Sequence, residues 1–269
     1  KDNRIVVINQ ANGRQGKARN AAMAVAKGEY IGMIDSDDYI PANYFEKLYN
    51  AAVTNNAEIA ICGIIKEKPA GNRTVIEFKE STVATTTQEK LQVCKCPPEF
   101  HPVNKLYSKE MLERIGLRFA EGVQYEDVMF VFRAICESNR LVTVPDICYR
   151  YVLNSSSTVK SKQTEAKQLQ KYSAHKAMTD YAEQNGITIP NRYKNLTVTH
   201  KSISGICLWK IKEKNNKRTL RLFDALPVWS WRKTEENAFN APIDLVYMWV
   251  DGNDPQWRAR RNSYLNETE

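Results

Sequence analysis

The chain has 269 residues, of which 42% are hydrophobic, and carries a formal net charge of +8 at pH 7. This composition supports a packed core and excludes a low-complexity chain, and no apolar run reaches the roughly 18–20 residues of a membrane span. The positive charge suits an anionic partner, whether nucleic acid, a phosphate-bearing substrate or an acidic membrane surface.

Strand-like and helix-like patterns alternate over the first 150 residues. Short β-rich or apolar runs predict the strands, and apolar residues at helical spacing, with Pro41 opening one helix, predict the helices. The predicted strands cover 5–8, 30–34, 58–65 and 141–151, and the predicted helices cover 16–26, 41–52, 108–115 and 126–138. Such alternation predicts an α/β domain around a mostly parallel sheet with flanking helices.

The remainder of the chain has a different character. From about 160 to 217 it is polar and lysine-rich, which we interpret as a mostly helical extension, and 228–242 is predicted to be a linker. A new apolar strand starts at Ile243, so we expect a second domain to begin there and to be truncated. The predicted parts are therefore 1–158, 159–240 and 241–269.

An apolar strand that ends in Asp35-Ser36-Asp37-Asp38 is the strongest local feature. In an open α/β sheet, ligands bind beyond the carboxyl ends of the strands. Clustered carboxylates there predict a site for Mg²⁺ or Mn²⁺, which commonly complete their shells with substrate phosphates. One alternative is a solvated acidic turn in which Asp38 caps the next helix. A phosphatase of the haloacid-dehalogenase type is disfavoured, because Tyr39 stands where that class has Thr or Val.

The second candidate site is Tyr125-Glu126-Asp127, at the start of a predicted helix. Acids in the first turn of a helix are favoured by the helix dipole, so the motif could simply mark a helix start. The functional interpretation is that one carboxylate acts as a general base toward an acceptor hydroxyl.

These segments together resemble the family-2 inverting glycosyltransferases of the GT-A fold. The resemblance covers roughly residues 4 to 158, in the order that the family has. It rests on Val7-Ile8-Asn9-Gln10-Ala11-Asn12-Gly13, Ala18-Arg19-Asn20, Gly28-Glu29-Tyr30-Ile31, Asp35-Ser36-Asp37-Asp38, Asn104-Lys105-Leu106-Tyr107 and Tyr125-Glu126-Asp127.

The resemblance implies a nucleotide-diphospho-sugar donor and a set of site residues. It implies a metal at Asp35 and Asp37, with Asp37 the direct ligand, the nucleotide near Arg19, and Asp127 as the catalytic base. Asp38, Asn104, Lys105 and Glu126 are implied to lie near the acceptor. The base would deprotonate the acceptor hydroxyl for in-line attack on the anomeric carbon, while metal and nearby cations stabilise the leaving diphosphate.

Two segments with which the family begins have no counterpart in the sequence. We expect them to precede Lys1, so that the domain lacks its first strands here. On this interpretation the chain alone binds donor weakly, because those segments contact the base and ribose in the family.

The end of the chain has a resemblance of its own. The run from Ile243 to Trp257, with Trp249-Val250-Asp251-Gly252 followed by Asp254, is similar to the first conserved block of the Stealth proteins. Those are sugar-1-phosphate transferases, many of which assemble capsular polysaccharides. The resemblance makes Asp251 and Asp254 candidate site residues of the second domain.

We therefore expect a glycosyltransferase that acts on a glycan or lipid-linked acceptor in bacterial capsular or cell-surface polysaccharide synthesis, fused to a phosphotransferase. The alternative is a Stealth-type enzyme whose first domain is a non-catalytic binding module. We expect a cytoplasmic location, at the inner face of the membrane if the lysine-rich segment contacts anionic lipid, although a solvated face is the simpler interpretation. No basic stripe with interleaved aromatics supports a nucleic-acid partner.

Overall fold

The structure is a computed structural model that describes residues 4–68, 71–153, 164–194, 196–203, 206–214, 217–222 and 226–232. The chain divides into two compact units, 1–199 and 200–269. The helices are α1 (Arg14–Val25), α2 (Tyr44–Thr54), α3 (Thr87–Val93), α4 (Lys109–Arg114), α5 (Glu126–Glu137), α6 (Glu165–Gln184) and α7 (Asn191–Lys194). The strands are β1 (Tyr30–Gly32), β2 (Ile59–Glu67), β3 (Arg73–Ile76), β4 (Val83–Ala84), β5 (Lys105–Ser108), β6 (Leu141–Val152), β7 (Leu196–Ile203), β8 (Ile206–Lys214), β9 (Lys217–Leu222) and β10 (Leu226–Arg232).

A six-stranded sheet forms the centre of the first unit, with strand order β1-β5-β2-β6-β4 and β3 paired to β2. The predicted α/β class is confirmed, but the expectation of a mostly parallel sheet is wrong for the described strands. Of their pairings, β2–β6 is parallel, whereas β1–β5, β2–β5, β2–β3 and β4–β6 are antiparallel. Between β2 and β6 the chain adds β3, β4 and β5, and each of these strands runs antiparallel to the neighbours with which it pairs.

The core lies between this sheet and its helices. Residues Ile59 to Ile64 of β2 are all buried, as a central strand covered on both faces requires. On α2, Tyr44, Leu48 and Ala52 recur at i, i+4 and i+8 and are fully buried, so the helix packs one apolar stripe against the sheet. This rigid layer fixes the strand ends that carry the acidic residues.

The predicted first strand is not formed. Residues Ile5, Val6 and Val7 belong to no strand of the described part of the chain, and they are 69%, 70% and 77% exposed. β-rich composition alone does not produce a strand, because the backbone groups need a neighbouring strand to complete the ladder.

The lysine-rich segment is helical only in its first part. Helix α6 packs against α5, with the ring of Tyr181 in edge contact with that of Phe132. From Leu196 onward the predicted helix is wrong for the described residues, because they form strands with the order β10-β9-β8-β7. The predicted linker is wrong at 228–232, which belongs to β10, and its remainder lies outside the described residues. The predicted break at 158 falls outside the described residues and stays a prediction, as does the break at 240, but the first compact unit extends to 199.

Alternation explains the second sheet. On β8, Trp209, Ile211 and Glu213 are buried, while the intervening lysines are half-buried or exposed. This period of two is that of a strand with one covered face. Within the described part of the chain, no helix has the length and apolar character needed to cross a membrane.

Candidate active site

Arg19 of α1 joins two acidic segments that are far apart in the sequence. Its Nη2 lies 2.8 Å from Asp35 Oδ1, just beyond β1, and its Nη1 lies 3.0 Å from Glu126 Oε1, at the start of α5. The side chains are 13%, 26% and 8% exposed for Arg19, Asp35 and Glu126, respectively. The guanidinium offers donors in a fixed fork, so a single arginine orients both carboxylates. Three of the predicted site residues therefore meet.

The helix that carries Arg19 is held against the segment before α5. Asn20 Nδ2 donates to the Phe119 carbonyl over 2.9 Å, and the Phe119 N–H donates back to Asn20 Oδ1 over 2.9 Å. Gly16 allows this approach, since a Cβ atom there would lie 2.2 Å from the Ala120 carbonyl oxygen. The Arg19 guanidinium also lies 5.3 Å from the centre of the Phe119 ring, which adds a cation–π contact.

The turn after β1 is anchored by Asp38. Its Oδ2 accepts a hydrogen bond from the Tyr149 hydroxyl over 2.8 Å, and its Oδ1 accepts one from the Val152 N–H over 2.8 Å. The Tyr149 oxygen in turn accepts from the Asp35 N–H over 3.1 Å. Burial raises the pKa of Asp38, although both hydrogen bonds counteract this. Asp38 thus holds the turn at the end of β6, and its predicted position near the acceptor stays a prediction.

The residues predicted to bind metal fit that role only in part. Asp37 is exposed, and Asp35 has one oxygen engaged by Arg19 and the other available, whereas both oxygens of Asp38 accept internal hydrogen bonds. Among the described residues, no group of three or more His, Cys, Asp or Glu side chains is placed to hold a metal ion. Two carboxylate oxygens are nevertheless what Mg²⁺ uses when substrate phosphates complete its shell.

Asp127 occupies the first turn of α5, next to Glu126. The preceding residue, Tyr125, has a left-handed backbone with φ of 63° and ends the loop abruptly, so the helix begins at the acids. Burial is the main cause that raises the pKa of Asp127 to about 6, and the neighbouring Glu126 adds to it. Arg19 and the backbone N–H groups of the first turn act in the opposite direction. The result is a carboxylate that changes protonation near neutral pH.

Asn104 and Lys105 lie inside the first unit, at the start of β5. They are 0% and 1% exposed. Asn104 Nδ2 donates to the Cys62 carbonyl, and Lys105 Nζ donates to Asn104 Oδ1 and to the His101 carbonyl. Burial lowers the pKa of Lys105. Their internal partners stabilise the β2–β5 edge, and their predicted position near the acceptor stays a prediction. Asp251 and Asp254 lie outside the described residues.

Tyr149 and Asn20 are site residues to which the sequence analysis assigned no role. Tyr149 sits in an apolar strand, where a tyrosine usually packs as a core residue, so its hydroxyl gave no signal. For Asn20 the sequence contains a weak signal, because asparagine in the middle of a helix is unfavourable unless its side chain has a partner.

The first unit is thus a mixed α/β layer in which acids and one arginine meet where a strand ends and a helix starts. Residues 1–116 match the family described as Glycosyl transferase family 2, and residues 241–269 match Stealth protein CR1, conserved region 1. These two matches fall on the parts of the chain that carry the two resemblances. Both resemblances predicted from the sequence are confirmed.

Curated relatives and solved structures agree with this assignment. The uncharacterized glycosyltransferase EpsJ of Bacillus subtilis is 33% identical over 162 residues, which cover 58% of this chain and 47% of the relative. The poly(ribitol-phosphate) beta-N-acetylglucosaminyltransferase TarS of Staphylococcus aureus is 30% identical over 143 residues, which cover 52% of this chain and 24% of TarS. The crystal structure of TarS with UDP-GlcNAc has a TM-score of 0.55 at 19% identity and covers 69% of this chain and 51% of that one, which shows the shared fold. The chain spans about half the length of EpsJ.

Proposed function

We propose that this protein transfers a sugar from a nucleotide-diphospho-sugar to a hydroxyl group of a bacterial cell-surface polysaccharide or its precursor, with Asp127 as the general base. The observation that carries the proposal is the environment of Asp127, whose pKa is raised to about 6 beside the Arg19–Glu126 ion pair. A base works best when its pKa lies near the working pH, because it is then both deprotonated and basic enough to accept a proton.

The reaction follows from these residues. Deprotonated Asp127 accepts the proton of the acceptor hydroxyl as its oxygen attacks the anomeric carbon, and the bond to the diphosphate oxygen breaks. Glu126 is occupied by Arg19, which leaves Asp127 as the carboxylate of the pair that accepts the proton. The relatives support the donor and the acceptor class: TarS has been solved with UDP-GlcNAc, and its name gives poly(ribitol phosphate) as its acceptor.

A divalent cation, Mg²⁺ or Mn²⁺, is part of the proposal. Asp37 and the available oxygen of Asp35 would hold it, and when bound it would offset the negative charge of the leaving diphosphate. Arg19 keeps Asp35 at the end of β1, so it positions that ligand.

The experiment is donor turnover by the chain, screened over nucleotide sugars and polyol-phosphate or glycan acceptors with Mg²⁺, Mn²⁺ or a chelator. We expect release of nucleoside diphosphate that needs the metal. Asp127→Asn should lower the rate by about 10²- to 10⁴-fold, the usual contribution of a general base. Asp146→Asn is the matched control, since Asp146 is exposed and its φ of 57° is well tolerated by asparagine.

Equal rates for Asp127→Asn and Asp146→Asn would rule out Asp127 as the base. Release of nucleoside monophosphate instead would favour a second candidate, a Stealth-type sugar-phosphate transferase. The match of residues 241–269 to the first Stealth region supports that activity for a fuller protein. In that case Asp251→Asn should abolish the release, while Asp127→Asn should leave it unchanged.

A further inference from the structure

A histidine and a glutamate that the proposed chemistry does not use form a close pair just before β5. His101 Nε2 lies 2.9 Å from Glu99 Oε2, and the two side chains are 20% and 25% exposed, so solvent reaches both. Two further side chains adjoin the pair. The centre of the Tyr151 ring lies 6.3 Å from that of the His101 ring, and Lys66 Nζ lies 5.5 Å from the centre of the Tyr151 ring. We call Lys66, Glu99, His101 and Tyr151 the histidine cluster.

The histidine cluster lies at the edge of the first sheet where a ligand is expected. Strands β1, β2 and β6 run in the same direction, because β1 and β2 are both antiparallel to β5 and β6 is parallel to β2. Lys66 and Tyr151 are directly opposite each other near the carboxyl ends of β2 and β6, and the turn with Asp35 and Asp38 follows the carboxyl end of β1. Ligands of open α/β sheets bind beyond these strand ends.

The end of β6 connects the histidine cluster to that turn. On one edge of β6, Tyr39 forms an antiparallel bridge with Arg150, and the Val152 N–H donates to Asp38. On the other edge, Tyr151 pairs with Lys66 of β2. Adjacent strands lie about 4.8 Å apart, so the turn and the end of β2 are separated by about 10 Å. An oligomeric acceptor bound beside the turn is therefore long enough to reach the histidine cluster.

The pairing with Glu99 determines which ring nitrogen of His101 is available. An ionised carboxylate only accepts hydrogen bonds, so Nε2 carries the proton and Nδ1 has the lone pair. Burial is the main cause that lowers the pKa of His101, and Lys66 and Lys105 act in the same direction, although Glu99 opposes them. The ring is therefore neutral at pH 7, and Nδ1 accepts a hydrogen bond. Among the described residues, no donor lies within hydrogen-bonding distance of Nδ1.

We propose that the histidine cluster is an acceptor subsite for a polyol phosphate chain. His101 Nδ1 accepts a hydrogen bond from a hydroxyl group of the chain, and the Lys66 ammonium contacts a phosphate oxygen. A hydroxyl supplies the donor that Nδ1 needs, and a phosphate supplies the charge that complements Lys66. A polyol phosphate carries both groups in every repeat, whereas a neutral glycan carries hydroxyls alone. Glu99 acts through His101, because it fixes the tautomer of the ring.

This inference deepens the proposed function, on which it rests for the role of the chain as acceptor. Binding to the histidine cluster requires neither the donor nor Asp127, however. A protein that binds the polyol phosphate through His101 and Lys66 but transfers no sugar would disprove only the proposed function. Sugar transfer without any contribution of His101 or Lys66 to acceptor binding would disprove only the subsite.

The test is direct binding of the chain to oligomers of ribitol phosphate, measured by isothermal titration calorimetry. His101→Phe and Lys66→Gln should each weaken binding by about tenfold, as the loss of one hydrogen bond or one charge contact does in a partly exposed site. A neutral oligosaccharide of similar length should bind more weakly, and Lys66→Gln should not change its binding. Asp127→Asn should bind as the wild type does.

Matched controls remove the same chemical groups elsewhere in the first unit. His175 is also a neutral imidazole, since burial is the main cause that lowers its pKa to about 4, and its ring is in edge contact with that of Phe100. Lys79 is an exposed lysine whose charge is screened by solvent. His175→Phe and Lys79→Gln should therefore each bind within about twofold of wild type.

The ring nitrogens of His101, observed by NMR, give a readout that a purely structural role would not change. The free protein should show the Nε2–H tautomer, and addition of the ribitol phosphate oligomer should shift the Nδ1 signal. Circular dichroism checks that each variant is folded, and Lys66→Gln tests the subsite even if His101→Phe does not fold. Equal losses in the cluster and control variants, no binding by the wild type, an unchanged Nδ1 signal, or tighter binding of the neutral oligosaccharide would each overturn the proposal.

Discussion

Two arginines, each paired with acids, have different roles in the two units. Arg19 joins acids that are 16 and 107 residues away and lie on two different elements. Arg218 instead joins Glu213, which is its directly opposite neighbour on the adjacent strand, and both are almost fully buried. The first arginine connects distant parts of a site, and the second connects two strands of one hairpin.

The comparison distinguishes ion pairs that orient groups of a site from ion pairs that only stabilise the packing of the fold. A local buried ion pair gains little over a well-packed apolar pair, because desolvation of two charges offsets their attraction. A pair that orients a catalytic group cannot be replaced in this way, since the charge itself sets the position and pKa of its neighbours.

Removal of Arg19 should give the largest effect. Arg19→Met leaves Glu126 buried without its cation and releases Asp35, so we expect the transfer rate to fall by about 10²-fold through misplacement. The free energy of unfolding should also fall by about 3 kcal/mol. Arg114→Met is the matched control, because Arg114 pairs with Glu58 at the surface, and it should cost under about 1 kcal/mol with an unchanged rate. Similar losses of transfer rate and of stability in the two variants would contradict this role of Arg19.

The hairpin pair should behave differently in single and double variants. Glu213→Leu alone removes the acid to which buried Arg218 donates, and we expect a loss of about 3 kcal/mol in the second unit by denaturant unfolding. The double variant Glu213→Leu with Arg218→Leu should recover most of that loss. If the double variant remains as unstable as the single one, the pair contributes more than packing.

The pH profile should distinguish Asp127 from a residue that only packs. Because its pKa is about 6 and the base must be deprotonated, the rate should fall by about tenfold for each pH unit below 6. The free energy of unfolding changes with pH in the opposite direction. Because the folded state binds the Asp127 proton more tightly than the unfolded state does, the stabilising contribution of Asp127 is lost as pH rises from about 4 to about 6. Asp127→Asn should therefore remove that part of the pH dependence of unfolding, and Asp146→Asn should preserve it.

Local patterns in the sequence predicted the elements of the first unit well. The helical spacing of Tyr44, Leu48 and Ala52 identified α2, and the apolar face after Glu126 identified α5, in each case because the burial follows the 3.6-residue period. The motif resemblance also placed Arg19, Asp35 and Glu126 in one site. Their pairing could not be derived from spacing, since nothing local determines which acid a distant arginine contacts.

The errors have a common physical origin. Lysines at 210, 212 and 214 were interpreted as a solvated helix, although they alternate with residues that a strand buries. Burial of Asn104 and Lys105 was also missed, because a buried lysine depends on acceptors supplied by the fold rather than by neighbouring sequence. Composition predicts where a side chain prefers to be, and tertiary partners decide where it is.

The smallest expected effect concerns Tyr149, which connects the acidic turn to β6. Tyr149→Phe removes the hydroxyl that donates to Asp38 and accepts from the Asp35 N–H, so we expect a loss of about 1–2 kcal/mol in the free energy of unfolding at neutral pH. The loss should shrink at acidic pH, because the hydrogen bond favours the ionised form of Asp38 and its removal raises the pKa of that carboxyl further. Tyr49→Phe is the control, since the Tyr49 hydroxyl lies 3.4 Å from Glu29 at the surface. Phe keeps the ring, so a pH-independent loss at Tyr149 would mean that the hydroxyl anchors the turn through the Asp35 N–H rather than through the bond to Asp38.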